Sequence, residues 1–299
     1  MTRELKGHLA MLCFSALVAG SFALGALIAD SVSPIVVTVI RLAITALFLG
    51  GIILVTQPLC RASFRAPWRY IVLGACLALY FILMFEALKT SPAISLSVEF
   101  TMAPFISGLF GYLILRQKIT FRMLIALLVG TVGAIWVIFE GDFQKLLEFQ
   151  IGRGELLFLV GMSFYALYVP LVRKLNRDEP PLVYTFVITV GALLVTIPFA
   201  FADVMNTNFA EVRPLDWAVI LYLAVLASAA TFSLIQYAAL CLPSVKVMAH
   251  TYLTPSWVIV WQLALGGNAP SATDLIGVGF TIVALFLLLK NQNAGPVRV

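Results

Sequence analysis

Five ionisable side chains stand inside long apolar runs of this chain: Arg41, Glu86, Glu99, Lys246 and His250. A charge in such surroundings is costly, so residues of this kind face a bundle interior, pair with one another or line a pathway. Glu99 follows Pro92 by seven residues, and Arg41 follows Pro34 by seven. If both prolines open helices from one side, a rise of ~1.5 Å per residue sets both side chains about 10 Å below that face. Two arrangements are then open. Arg41 and Glu99 form a buried ion pair that is purely structural, or they hold a zwitterionic ligand between them; either charge alone would be expensive in low dielectric. His250 lies six residues past Ser244 in a run entering from the opposite side, about 9 Å above that face. Its imidazole changes charge near neutral pH and suits proton transfer, while a neutral histidine bonded to a neighbouring helix is the plainer alternative. Glu99 and His250 are thus the candidate proton carriers. Lys246, one turn before His250, can snorkel to the interface. Glu86 and Lys89 have the spacing of a local surface pair.

Hydroxyl, amide and aromatic residues complete the candidate lining of a binding site: Thr101, Tyr252, Trp257, Tyr165, Tyr237 and Gln236. Rings of this size suit an organic ligand, although Trp and Tyr also serve as interfacial and packing residues in membranes. No other chemistry is encoded. The four cysteines (Cys13, Cys60, Cys76, Cys241) have no metal-ligand spacing and read as free thiols. HExxH and GxSxG are absent, as is the phosphate loop GxxxxGKS/T. The expectation is no metal, no cofactor, no catalytic residue and no direct use of ATP; the chain does not read as an enzyme. A scaffold has little reason to carry charges inside apolar runs.

The elements that must position these residues are membrane-spanning helices. Hydrophobic residues make up 62% of the chain and charged residues only 11%, against about 25% charged in soluble domains, so a water-exposed surface could not be covered. The mean hydropathy is +1.05. Backbone groups in hydrocarbon must be satisfied internally, which leaves helix bundles or closed barrels, and the runs are too long and unbroken for barrel strands. Ten spans are expected, near 8–27, 34–55, 68–87, 92–115, 121–139, 155–172, 181–201, 217–240, 244–265 and 273–290. The first is too long for a signal-peptide core and is read as retained.

The net charge of +5 lies in short clusters between spans, the pattern of topology signals rather than of nucleic-acid binding. With the N-terminus cytoplasmic, thirteen positive residues fall inside: Arg3, Lys6, Arg61, Arg65, Arg69, Arg116, Lys118, Arg122, Arg173, Lys174, Arg177, Lys290 and Arg298. Four fall outside: Lys89, Lys145, Arg153 and Arg213. That asymmetry places both termini in the cytoplasm.

The chain also repeats itself. Residues 85–120, FEALKTSPAISLSVEFTMAPFISGLFGYLILRQKIT, align with 236–271 at a shift of ~151. The alignment matches Ala87 with Ala238, Pro92 with Pro243, Pro104 with Pro255, and Glu99 with His250. At a shift of ~147, Pro34 matches Pro181. Five spans per half is an odd number, so the halves must lie in opposite orientations, as in many transporters with inverted repeats. The mid-span Pro104 and Pro255 are expected to kink their helices, and Gly108, Gly111, Gly130 and Gly133 to permit close helix contact.

These residues carry a resemblance. The passage ALKTSPAISLSVEFTMAPFISGLFGYLILRQKIT, its weaker copy AALCLPSVKVMAHTYLTPSWVIVWQLALGG, and Arg41 in VTVIRLAITALFL resemble the EamA branch of the drug/metabolite transporter superfamily across essentially the whole chain. After the fourth span LRQKIT stands where LGERLT is typical, and the second half has LGGNAPS, so no role of that glutamate is carried over. The resemblance implies an all-α membrane protein of ten helices, with one five-helix repeat over 1–140 and a second over 152–292. It also implies a monomer in the bacterial inner (plasma) membrane. The implied function is secondary transport of a small organic metabolite, an amino acid or related compound, by export, with the lipid bilayer and protons as possible partners. The alternative expectation is efflux of cationic, drug-like compounds with Glu99 as the exchanging carboxylate, which requires Glu99 to be free of Arg41.

Overall fold

The computed structural model describes residues 3–56, 66–116, 121–148, 151–241, 247 and 249–290, and the structural statements below concern these. Cys60, Arg61, Arg65, Lys118, Lys246 and Arg298 lie outside them, as do the side chains of Arg122, Gln236, Cys241 and Lys290.

The first half runs α1 (Arg3–Ile28), α2 (Pro34–Thr56), α3 (Trp68–Ala87), α4 (Ala93–Glu99), a 3₁₀ turn (Phe100–Met102), α5 (Ala103–Leu115) and α6 (Phe121–Ile138). A short helix, α7 (Phe143–Leu147), is capped by the Asp142 carboxylate, which accepts from the Gln144 and Lys145 N–H groups. The second half runs α8 (Arg153–Leu175), α9 (Pro181–Asn206), α10 (Pro214–Ala224), a π-helical turn (Val225–Ala230) and α11 (Thr231–Cys241). A 3₁₀ turn (His250–Leu253), α12 (Thr254–Ala264) and α13 (Ala272–Lys290) complete it. Each expected span has a helical counterpart. Seven stretches are long and apolar enough to cross a membrane by themselves, counting Ala93–Leu115 and Pro214–Ile235 as single spans.

The expected proline kinks take a particular form. A proline lacks an N–H, and its ring clashes with the carbonyl four residues earlier. Pro104 and Pro255 therefore sit in the first turn of α5 and α12, and each is preceded by a tight 3₁₀ turn, which in the first half ends α4. The break recurs at the same place in both halves. Glu99 is the last residue before the first break, and His250 is the first residue of the second.

The halves interdigitate rather than standing side by side. From the first half, α3 packs on α8 and α9, α2 on α9 and α10, α1 on α11 and α12, and α6 on α13. Glycines set the closest crossings. A Cβ on Gly133 would stand 2.5 Å from Phe280 Cβ and 3.1 Å from the Gly277 carbonyl oxygen, so α6 and α13 meet nearly backbone to backbone. The main apolar core draws on both halves, with Phe22, Tyr80, Phe85 and Phe100 meeting Phe158, Met162, Ile188 and Leu223. Glu86 and Lys89 form the expected local pair at 2.8 Å. Cys13 and Cys76 are free thiols, the first exposed and the second buried.

Candidate functional site

Arg41 is held where α2 crosses the π-helical turn of the second half. Its Nε donates to Ser228 Oγ at 2.9 Å, and its Nη2 donates to the Ala227 carbonyl oxygen at 3.4 Å. The guanidinium carbon lies 3.8 Å from the centroid of the Phe81 ring, a cation–π contact. The π turn makes this clamp possible. A wider turn displaces carbonyls from the ordinary ladder, and such turns recur at functional sites. Ser228 Oγ donates to the Leu223 carbonyl oxygen at 2.9 Å, and Thr45 of α2 donates to the Ala224 carbonyl oxygen at 3.0 Å. One guanidinium nitrogen is left over. Arg41 is 1% exposed, and its Nη1 has no hydrogen-bond partner among the described residues.

That arginine borders a cavity of about 50 Å³ walled by α1, α2, α3, the first 3₁₀ turn, α8 and the π turn with α11. Its rings come from both halves. Tyr80 and Tyr165 lie 4.9 Å apart between centroids, Phe100 lies 5.6 Å from Tyr165, and Tyr165 stacks on Tyr168 at 6.3 Å. No carboxylate is among the described residues that line it. A bound organic solute needs roughly 300 Å³ or more, so this space between the two halves is too small to hold one as it stands.

The profile of the EamA-like transporter family matches the chain twice, over residues 5–139 and 152–290. The chain belongs to the EamA-like transporter family. It is a multi-pass membrane transporter, and the family is one of transporters rather than enzymes. Among similar proteins, a Bacillus subtilis protein named as an uncharacterized transporter, YyaM, is 25% identical over 211 residues, 69% of each chain. An S-adenosylmethionine/S-adenosylhomocysteine transporter of Chlamydia muridarum is 27% identical over 197 residues, 62% of this chain and 61% of that one. A solved crystal structure superposes with a TM-score of 0.68 at 17% identity, covering 98% of this chain and 99% of the other, a likeness of fold.

In this EamA-like transporter, the candidates named from sequence part company. Arg41 and Tyr165 meet at the cavity. Arg41 and Glu99 form no ion pair: Arg41 is held by Ser228, Ala227 and Phe81, and both Glu99 carboxylate oxygens are buried with no hydrogen-bond partner among the described residues. Glu99 is 0% exposed at the end of α4, beside the cavity residue Phe100 but outside the lining itself. Thr101 is turned into its own helix, donating to the Val98 carbonyl oxygen at 2.6 Å. Tyr252 is buried in a separate cluster with Ala126, Ala284 and Leu285 and packs over Gly130. Trp257 borders the main core, and Trp261 bonds the Ala16 carbonyl oxygen at 3.0 Å. Tyr237 is exposed on α11. Gln236 is on α11 with its side chain outside the description.

His250 does not reach the cavity lining. It meets the chain's other histidine, His8 on α1, with Nδ1 of His8 3.4 Å from Nε2 of His250, and the Glu4 carboxylate lies 3.9 Å from His8. Several residues of the site had no signal in the sequence, chief among them Tyr80, Phe81 and Phe100 in the lining and Ser228, which holds Arg41. The three rings sit among many other aromatics in apolar runs, and Ser228 lies in a run of small residues, so only their convergence distinguishes them.

Proposed function

We propose that this protein is a secondary transporter that exports a small organic metabolite, an amino acid or a related compound, by alternating access, the two halves rocking about the cavity at Arg41. The observation that carries the reading is the cavity itself, which must widen to admit a solute. It lies between the halves, is lined by elements of both, and holds a buried arginine with a donor to spare. The Chlamydia relative supports the substrate class, since S-adenosylmethionine and S-adenosylhomocysteine join an amino-acid group to a flat heteroaromatic base. The thirteen-to-four distribution of positive residues supports both termini in the cytoplasm of a bacterial inner membrane. We read the working unit as a monomer. The test is counterflow in proteoliposomes: preloaded unlabelled solute drives uptake of its labelled form, over a panel of amino acids and adenosyl-amino acids. Exchange of one class supports the reading, and exchange of none sinks it.

One observation favours a second reading for coupling. Glu99 is free of Arg41 and has no partner for either oxygen among the described residues, which is what a carboxyl that exchanges a proton or a cation with the substrate requires. Protons then drive export through Glu99. With Glu99→Gln, solute accumulation driven by an imposed pH gradient is expected to vanish while counterflow persists. Accumulation at the wild-type level would reduce Glu99 to packing.

A further inference from the structure

The cavity is unbalanced in charge, and the imbalance has a direction. It contains one permanent cation, Arg41, which is 1% exposed, and no carboxylate among the described lining residues. A buried charge is tolerated when a counter-charge or a full set of hydrogen bonds compensates it. Arg41 has neither in full. Nε and Nη2 are engaged by Ser228 and Ala227, Phe81 covers the guanidinium face, and Nη1 is buried without a partner among the described residues. The clamp also stops the side chain from withdrawing toward water. The π turn that supplies both acceptors is itself tied to α2 by the bond from Thr45 to the Ala224 carbonyl oxygen. What remains is a guanidinium fixed on one side and incomplete on the other, at the edge of an aromatic-walled space.

We infer that this site is built for an organic anion: the substrate carries a carboxylate that accepts from Arg41 Nη1, and a flat ring that enters among Tyr80, Phe100 and Tyr165. The inference rests on the transporter reading above and narrows its substrate class. A carboxylate forms a charge-assisted bond to the spare donor and neutralises the buried cation at once. Rings at 4.9 to 5.6 Å from Tyr165 are in contact with one another, so an aromatic plate enters by parting them as the cavity widens or by stacking on their free faces. A substrate ammonium group finds no counter-charge among the described lining residues and is repelled by Arg41. An amino acid is therefore recognised through its acid end, and its amine adds nothing at this site. Cationic, drug-like compounds are excluded from it.

Three compounds with one ring system separate the possibilities: indole-3-acetate, tryptophan and tryptamine, the acid, the zwitterion and the amine. Binding is read as ligand-dependent thermal stabilisation of the full-length protein in nanodiscs, since a ligand of the native state raises its melting point by mass action. The acid is expected to bind at least about tenfold more tightly than the amine, the worth of one charged hydrogen bond. Tryptophan should bind no better than the acid. Arg41→Gln and Ser228→Ala should each erode the acid's advantage, the second acting only by loosening the clamp. The comparison among ligands on the wild-type protein needs no variant to fold. The inference is overturned if the amine matches the acid, if tryptophan far exceeds both, or if none of the three shifts the melting point at millimolar concentration. Counterflow distinguishes the two levels: tryptamine exchange without acid exchange sinks the anion assignment but keeps the transporter. Acid binding with no exchange of any solute keeps the site and sinks the proposed export of a small organic metabolite through it.

Discussion

Gly74→Leu is expected to abolish recovery of folded, monodisperse protein, and Gly74→Ala to destabilise it by about 1–3 kcal/mol, the usual cost of overpacking. A Cβ on Gly74 would stand 2.2 Å from the Ala192 backbone nitrogen and 2.6 Å from the Gly191 carbonyl carbon. A Cβ on Gly191 would stand 2.4 Å from the Tyr70 carbonyl oxygen. The two glycines thus let α3 of the first half and α9 of the second cross with backbones in contact. Because the obstructing atoms are backbone, no rotamer change relieves the clash, and the helices must separate. Gly191→Ala should reproduce the effect. Gly51 supplies the control, being helical and exposed with nothing within 4 Å of its Cβ position. Gly51→Ala removes only the glycine penalty in a helix, so it should leave the melting point unchanged or raise it. Thermal unfolding in detergent with size-exclusion profiles checks all four. A Gly74→Leu protein that purifies and melts like wild type would show that the crossing is looser than this.

Breaking the Arg69–Glu179 bridge is the second change of large effect, with an expected loss of about 3 kcal/mol. The pair meets at 2.7 Å, with side chains only 1% and 5% exposed. It ties the start of α3 to the connection between α8 and α9, so it joins the two halves. Arg69 also donates to the Leu175 carbonyl oxygen, while Glu179 accepts from the Arg177 N–H at 2.6 Å and from the Tyr70 hydroxyl at 3.1 Å. Removing either partner strands the other charge together with its hydrogen bonds. Arg69→Met paired with Glu179→Leu should recover part of what each single change loses, since a buried pair replaced as a unit is often nearly neutral.

The bridge also carries a pH dependence. Burial by itself would raise the Glu179 carboxyl, but the bonds from Arg69, the Arg177 N–H and Tyr70 outweigh it and hold the carboxyl below its ordinary value. The unfolded chain therefore binds this proton more readily than the folded one. The bridge's contribution is present in full above the unfolded glutamate value, near ~4.3, and is lost as pH falls through the lowered folded value. The melting point should stay level from neutral pH to about 5 and then decline. Glu179→Gln should start lower and flatten that acid limb. An unchanged acid limb in the variant would assign it to other carboxylates.

Much of this architecture was legible in the sequence because it depends on distance along one helix. A scarcity of charge forces the chain into lipid, unbroken apolar runs force helices, and matched prolines at Pro104 and Pro255 force a break at the same point of each half. Depth in the membrane follows from residues counted from a helix start, so Arg41 and Glu99 could be set at similar depth. What that count leaves open is the direction a side chain faces and the helix that stands opposite. Arg41 turns toward the π turn while Glu99 is buried without a partner among the described residues, and the two charges do not pair. His250 finds His8 more than two hundred residues away, a meeting decided by how α1 packs on the second half.

Arg69 shows the same division from the other side. Its charge marks the end of a span, and local pattern says nothing more. Only the docking of the α8–α9 connection brings Glu179 to it. The π turn has no pattern of its own in VLASAA, because an extra residue per turn leaves no periodic mark in a run of small side chains. By itself the sequence determined the medium, the helices, the repeat and the family, all of which rest on composition and on spacing along one helix. Partners and cavity belong to the tertiary structure alone, because they depend on how helices rotate and cross, and that is settled by packing between segments far apart in the chain.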